Sequence, residues 1–168
     1  MKLAQCIILD LLKDYDPVPI LPETCDFHFS GVQLLDQDNP TDDPSILYIG
    51  TTTQISSFDT EKLKDFCIIC IGKKEDVSSY IENYQANLIL IPENHSLASV
   101  VNTLYTGFHR ILRWDAELQN AILSKQNYQS LFSIGGRFFG KNVMLMVNSS
   151  YNVIGANLLE APVHEKLD

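Results

Sequence analysis

The chain has 168 residues, of which 45% are hydrophobic and 20% are charged, and its formal net charge at pH 7 is −9. This composition is typical of a globular protein with one well-formed core, and it excludes the disordered and fibrous classes. No apolar run approaches the roughly 20 residues that cross a bilayer, and the start of the chain lacks the pattern of a cleaved signal peptide. We therefore expect a cytoplasmic protein with no membrane partner.

Charge is unevenly distributed along the chain. Residues 1–100 contain 16 acidic and 6 basic side chains, whereas residues 101–168 contain 5 acidic and 6 basic ones. An acidic surface repels phosphate backbones, so this chain is a poor candidate for binding DNA or RNA. We expect no direct contact of the chain with nucleic acid.

The first part of the chain predicts a helix, a strand and a loop. Apolar side chains recur at helical spacing over Met1–Tyr15, and Asp16–Pro19 ends the helix because proline lacks the amide donor. Cys25–Leu35 alternates in part and predicts a strand with a glycine break. Asp36–Pro44 is rich in turn-forming and acidic residues, so we expect an exposed loop.

Three short apolar runs follow, Ile46–Ile49, Phe66–Ile71 and Asn87–Ile91. Polar segments separate these runs, and Glu75–Gln85 has a helical pattern. Apolar strands that alternate with helices favour a parallel sheet covered on both faces. The sequence thus predicts an α/β domain over residues 1–95, with a small, mostly parallel sheet and flanking helices.

Cys67 and Cys70 form a Cys-x-x-Cys pair inside one of these apolar runs. Residues three apart on a strand point to opposite faces, so the two thiols cannot bind one metal ion. No second pair with zinc-site spacing occurs in the sequence. We interpret both cysteines as buried structural thiols.

An amphipathic stretch extends from Leu97 to about Gln129, with Ser96 in the N-cap position. Its apolar positions step by four and three, which is the spacing of a helix-pairing seam. Two interpretations are open: the stripe packs on the sheet of its own domain, or it pairs two copies in a homodimer. Residues 96–132 would then form a linker and dimerisation helix. The dimerisation residues in the second case are Leu97, Val101, Leu104, Phe108, Ile111, Leu118 and Ile122.

After the pair Gly135–Gly136, the runs Asn142–Val147 and Tyr151–Gly155 predict two strands. The turn-forming residues between them favour a β-hairpin. Two strands alone are marginal in water, so the hairpin must pair with another chain, rest on the helix or belong to a larger domain. We assign residues 133–168 to the start of a further, truncated domain.

Open parallel sheets bind ligands at the carboxyl ends of their strands. The ligand-binding candidates there are Gly50, Thr51, Thr52, Gly72, Lys73 and Asn94. The alternative is that they are ordinary loop residues, because neither glycine-rich phosphate-binding motif is present. The four histidines are scattered, and no residue set has the spacing of a catalytic or metal site. The sequence therefore predicts no catalytic residue, no metal and no cofactor.

The segment Arg113–Ala156 resembles the PucR-like (CdaR-like) family of bacterial transcriptional regulators. In that family an N-terminal domain leads through a helix with a similar Trp-Asp … Leu … Leu segment to a GAF- or PAS-like sensor domain. A helix-turn-helix domain lies at the far C-terminus. The segment Asn142–Ala156 is similar to the first hairpin of the sensor domain. Ile46–Gly50 extends the resemblance towards the N-terminus.

The resemblance implies a regulatory part of a longer protein. It would be a module that senses a small-molecule effector or dimerises the regulator, without its own helix-turn-helix and without enzyme activity. Two alternatives remain, namely a purely structural dimerisation or interaction domain and a small α/β enzyme. The enzyme alternative lacks an identifiable nucleophile, base or metal set.

Overall fold

The computed structural model describes residues 2–20, 27–36, 43–57, 66–78, 87–139, 144–147, 149–151 and 153–157. The chain forms two compact units, Met1–His109 and Arg110–Asp168. The first unit is α/β and contains a mostly parallel, five-stranded mixed sheet, which confirms the predicted fold class for this part of the chain. No helix in the described ranges is both long enough and apolar enough to cross a membrane.

The described residues of the first unit form strands, helices and two 3-10 turns. In chain order they are β1 (Leu3–Ala4), α1 (Gln5–Leu11), a 3-10 turn (Lys13–Tyr15), β2 (Val18–Ile20), β3 (His28–Phe29), β4 (Gly31–Leu34), β5 (Ile46–Thr51), α2 (Thr52–Ser57), β6 (Cys67–Ile71), a second 3-10 turn (Lys74–Val77), β7 (Asn87–Ile91) and α3 (Leu97–Leu123), which continues into the second unit.

The main sheet has the strand order β2-β7-β6-β5-β4. Strands β4 to β7 are parallel, and β2 pairs antiparallel with β7 at the edge. Every residue of β6 and β7 is buried, which is why these segments are continuously apolar in sequence. The short strands β1 and β3 pair antiparallel in a separate two-stranded sheet.

Two predictions for the front of the chain are corrected by these strands. The helix predicted from Met1 begins only at Gln5, because Leu3–Ala4 pairs with β3. The segment Asp16–Pro19, which was predicted only to end the first helix, overlaps strand β2. In this strand Pro19 lies opposite Ile89. Proline is tolerated there because an edge strand can leave one amide position without a sheet partner. The predicted helix over Glu75–Gln85 is a 3-10 turn as far as Val77, and residues 79–86 lie outside the described ranges.

One face of the sheet packs against the segments that connect its strands. Tyr48, Ile68 and Leu88 on this face form a buried cluster with Ile55 of α2 and Val77 of the second 3-10 turn. The parallel strands step in one direction across the sheet, and right-handed crossovers then place their connections on the same face. The order of the parallel strands therefore explains why α2 and the second 3-10 turn share one buried cluster on this face.

The first half of α3 is attached to the α/β unit by hydrogen bonds from two tyrosines. The Tyr15 hydroxyl lies 2.8 Å from both Ser99 Oγ and Thr103 Oγ1, and the Tyr105 hydroxyl donates to Val32 O at 3.0 Å. The predicted N-cap is confirmed, because Ser99 N donates to Ser96 Oγ at 3.1 Å. The beginning of α3 is thus fixed by its cap and by side chains from distant parts of the unit.

The helix predicted to extend to about Gln129 ends at Leu123. Lys125 has the left-handed φ of 52°, its amide donates to Ile122 O, and the amide of Gln126 donates to Ala121 O, which is the Schellman pattern of a helix end. Asn127 then caps a new helix, α4 (Tyr128–Phe139), by accepting a hydrogen bond from Ser130 N at 2.9 Å.

The second unit combines the later part of α3 with α4 and two strands. Strands β8 (Met144–Val147) and β9 (Val153–Asn157) pair antiparallel, and α4 contacts both of them. Gly135 and Gly136, which the sequence placed between helix and hairpin, are buried within α4. A stack of Trp114 on Phe138, with ring centroids 4.4 Å apart, joins α3 to α4.

The cysteine pair behaves as the sequence predicts. Cys67 and Cys70 are both 0% exposed, and only Cys70 belongs to the cluster on the α2 side of the sheet. Burial, with a smaller contribution from the negative charge of Asp76, raises the pKa of Cys70 from 9.0 to about 12. The neutral thiol therefore favours the folded state below pH 9.0, and this stabilisation is lost as the pH rises towards 12.

We predict that a thiol-specific reagent added to the native protein below pH 9 modifies the exposed Cys6 rapidly and Cys70 only on unfolding. The rate of modification, read by mass spectrometry after proteolysis, checks this. Cys6→Ser should remove the fast label from the peptide that contains residue 6, whereas Cys70→Ala should leave that label unchanged. Rapid native-state labelling of Cys70 would contradict the packing described above.

Candidate functional site

The ligand-binding residues predicted from the sequence lie along one edge of the main sheet. Gly50 is in β5, Thr51 ends that strand, Thr52 begins α2, and Gly72 and Lys73 follow β6. Asn94 is exposed in the turn after β7. The fold therefore gathers the ends of three strands, as the parallel topology requires.

The tightest approach along this edge joins Gly72 to Thr52. A Cβ atom on Gly72 would lie 2.3 Å from Thr52 Cγ2, and the Gly72 backbone has a φ of +151°. Its amide donates to Ile91 O at 3.0 Å, which ties the end of β6 to the end of β7. Glycine at this position therefore meets a packing and backbone requirement.

Hydroxyl groups at this edge are already used within the fold. Thr51 and Gln54 form a capping box, in which Thr51 N donates to Gln54 Oε1 at 2.9 Å and Gln54 N donates to Thr51 Oγ1 at 3.3 Å. Thr52 is 7% exposed and its hydroxyl donates to Asp76 Oδ2 at 3.4 Å. The Asp76 carboxylate also opposes anion binding here. These contacts give the hydroxyls a structural role, and ligand binding at this edge stays a prediction.

Lys73, one of the predicted ligand-binding residues, forms an ion pair at this edge of the sheet. Its Nζ lies 3.4 Å from Glu93 Oε1, and both side chains are more than half exposed. An ion pair that is this exposed contributes little to the free energy of folding. Lys73 is therefore accessible, but its charge is partly compensated by Glu93.

The predicted dimerisation stripe on α3 is divided by burial. Leu104, Phe108 and Ile111 are at most 5% exposed within one chain. Leu97, Val101 and Leu118 are half-buried, whereas Ile122 is 63% exposed. The middle of the stripe thus belongs to the core of the chain, and Ile122 is its most accessible member.

No group of three or more His, Cys, Asp or Glu side chains within the described ranges is arranged to hold a metal ion. His95 packs edge-to-face on Tyr15, with ring centroids 5.0 Å apart, next to the tyrosine's contacts with α3. His28 lies on strand β3 and His109 is exposed on α3.

A cleft of about 540 Å³ lies between α3 and α4, inside the second unit. Its floor contains Ala121 and Ile134, which are 1% and 9% exposed. Its walls are polar, and they are formed by Glu117, Asn120, Ser124, Gln126, Asn127, Gln129, Ser130, Ser133 and Arg137. This volume is in the range of small-molecule sites, although such sites are usually more apolar.

An ion-pair network lies at one end of this α3–α4 cleft, where Glu117, the first lining residue of α3, meets Arg137, the last lining residue of α4. Glu117 Oε1 accepts from Arg113 Nε at 3.1 Å, and Glu117 Oε2 accepts from Arg137 Nη2 at 3.0 Å. The Arg110 guanidinium lies 5.7 Å from the ring centroid of Phe138, next to Arg137 in the chain. Two arginines therefore share the Glu117 carboxylate, and of these two Arg137 lines the cleft.

Comparison with protein-family models, with curated proteins and with solved structures finds no match to this chain.

Sequence reasoning missed the α3–α4 cleft because it extended the first helix to about Gln129 and predicted no second helix before the hairpin. The sequence signal for a break between the two helices is the polar segment Ser124–Asn127. Ser130 follows Asn127 by three positions. Asparagine with a following helical pattern is an N-cap signal. The end of α3 was not recognisable, because the residue with the left-handed conformation there is Lys125 and not the usual glycine.

We predict that Gly72→Ala destabilises the protein by about 2–4 kcal/mol, because it combines backbone strain with a collision against Thr52. Urea unfolding followed by circular dichroism measures the change. Gly31→Ala is the matched control, since its added Cβ meets only the flexible end of Ile46 at 3.3 Å and should cost less than about 1 kcal/mol. Equal effects of the two substitutions would contradict the special role of Gly72.

Proposed function

We propose that this chain is the N-terminal regulatory module of a bacterial transcription regulator of the PucR-like type. It would act in the cytoplasm as a homodimer that responds to a small-molecule effector, and it would leave DNA binding to a separate helix-turn-helix. One observation carries this proposal: the 27-residue helix α3 belongs to both compact units of the chain. In the proposed regulator, this helix would carry an effector-induced change along the chain.

The contacts of α3 in the first unit support a role in transmission. Tyr15 bonds to Ser99 and Thr103 on successive turns of the helix, and Tyr105 bonds to the backbone of β4 at Val32. A Cβ atom on Gly107 would lie 2.6 Å from Leu11 Cδ1, so α1 also approaches α3 closely. A rearrangement of the α/β unit would change these contacts and thereby bias the position of the helix.

The contacts of α3 in the second unit complete the connection. Trp114 stacks on Phe138, and Glu117 pairs with Arg137, so that two turns of α3 hold α4. Helix α4 in turn contacts β8 and β9. In the proposed regulator this hairpin begins a GAF- or PAS-like sensor domain, and movement of α3 against α4 would reach that domain.

Pairing of two copies through α3 needs apolar side chains outside the chain's own core. Leu112 is 39% exposed, Ile122 63% and Leu123 80%. Burial of a leucine or isoleucine side chain contributes roughly 1.5–3 kcal/mol, so a contact between these residues would stabilise a dimer measurably. The proposed dimer contact therefore lies towards the C-terminal end of α3.

We predict that Leu123→Glu weakens dimerisation by at least about tenfold, since a charge replaces an apolar contact. Light-scattering mass over a concentration series measures this. Thr106→Glu adds the same charge at an exposed position on another face of α3 and should leave the dimer intact. A wild-type chain that stays monomeric throughout the series, or equal effects of both variants, would exclude this contact.

The regulatory function itself is tested by transcription in the bacterium that carries the gene. Ala116 is exposed in α3, and Ala116→Pro should interrupt the helix at a cost of about 3 kcal/mol. We expect this variant to reproduce the transcript changes of a strain that lacks the gene. The control Ala116→Gly, which costs about 1 kcal/mol, should resemble the wild type.

Immunoblots must show equal amounts of the two Ala116 variants, so that lost regulation is not mistaken for lost protein. If deletion of the gene changes no transcripts while the chain still dimerises, a purely structural dimerisation domain becomes the better explanation.

A further inference from the structure

We propose that the α3–α4 cleft binds a small organic monocarboxylate that carries additional hydrogen-bonding groups. This inference deepens the proposed function, and it rests on that function for its regulatory consequence, because it assigns the effector a site and a chemical class. The site differs from the strand-end edge, where threonine hydroxyls are used by the fold and Asp76 contributes a negative charge.

The charge at the end of the α3–α4 cleft favours a single negative group. Two guanidinium groups, of Arg113 and Arg137, donate to the one carboxylate of Glu117, which leaves one positive charge uncompensated. Arg137 uses one N–H for this contact, and a guanidinium has five. Its side chain is 70% exposed, so the remaining donors can reach a ligand. A carboxylate can accept two parallel hydrogen bonds from such a guanidinium.

The presence of Glu117 selects against more highly charged anions. A phosphate monoester carries up to two negative charges at neutral pH and would be repelled by this carboxylate. A monocarboxylate matches the single uncompensated positive charge. Residues 101–168 also lack the acidic excess of residues 1–100, so an anion meets less long-range repulsion here than at the α/β unit.

The walls of the α3–α4 cleft supply the groups that would recognise the rest of the ligand. Asn127 Oδ1 accepts from Ser130 N and Ser130 Oγ, which leaves the Asn127 amide NH2 as a donor. Ser133 Oγ donates to Gln129 O, so its oxygen is an acceptor. Asn120 and Gln126 add carboxamides along the same walls. Hydroxy, oxo or amide groups on the acid would pair with these side chains.

Binding would alter how α3 and α4 are joined. A ligand carboxylate on Arg137 competes with Glu117, which is the charged link between the two helices. Arg137 precedes Phe138, whose ring stacks on Trp114. Trp114 is the only tryptophan of the sequence, so its fluorescence reports on this stack without a contribution from another tryptophan.

The test is a titration of the chain at constant ionic strength with acetate, lactate, glutamine, pyruvate and inorganic phosphate, followed by Trp114 fluorescence and by calorimetry. We expect saturable binding of at least one of the substituted acids, with weaker binding of acetate and no saturable binding of phosphate. Arg137→Gln should weaken the binding by at least about tenfold.

Two further variants separate binding from a general effect on the fold. Glu117→Gln breaks the same ion pair as Arg137→Gln but removes the competitor, so it should tighten binding several-fold. Lys125→Gln removes an equal charge from a residue that does not line the cleft and should change the affinity by less than about twofold. Weakening by both Glu117→Gln and Arg137→Gln would identify a structural effect and overturn the site.

Absence of saturable binding for all four carboxylates, binding of phosphate alone, or equal weakening by Lys125→Gln would also overturn the proposal. The regulatory function fails separately. Carboxylate binding that depends on Arg137, together with unchanged transcription in a strain carrying Arg137→Gln, would retain the site and refute its role as an effector site.

Discussion

Burial of β6 and β7 on both faces is the constraint on which the first unit depends. All ten residues of these two strands are buried, and most are Ile, Leu or Cys. A strand that is apolar on both faces needs cover on both sides, and the connecting segments can supply only one of them. The other face must be covered by elements from elsewhere in the chain. The buried residues Val100 and Leu104 on α3, together with Ile8 and Leu12 near α1, match that requirement.

This requirement explains why α3 changes character along its length. Its first half is committed to the α/β unit by an N-cap, by two tyrosine hydroxyls and by the close approach of α1 at Gly107. Its second half carries the Trp114 stack and the Glu117 ion pairs to α4. The backbone hydrogen bonds of the helix continue from His109 to Arg110, so that the residues with these two sets of contacts belong to one helix.

The sequence was informative where burial alone determines structure. Asn87–Ile91 was predicted with the bounds that the strand has, and the neighbouring apolar runs differ from β5 and β6 by one or two residues. Prediction from the sequence failed where the backbone conformation of a single residue determines the end of an element. Lys125 adopts a left-handed conformation that usually calls for glycine, so the end of α3 carried no recognisable signal. Strand β2 was missed because Pro19 reads as a stop unless the strand is known to lie at an edge.

The candidate sites show the same limit in chemical terms. Glycine followed by threonines at the end of a strand is compatible with anion binding, but these residue types also form a capping box, and only the Gln54 contacts distinguish the two. The α3–α4 cleft required knowledge that Glu117 and Arg137, 20 positions apart, meet across a turn.

Local electrostatics distinguishes the strand-end edge from the α3–α4 cleft as a binding site for an anion. At the strand ends Asp76 and Glu93 oppose an anion and engage the available donors, whereas Glu117 in the cleft shares its one carboxylate between Arg113 and the cleft residue Arg137. In the proposed regulator, an anionic effector would therefore bind where α3 meets α4 and not at the strand ends.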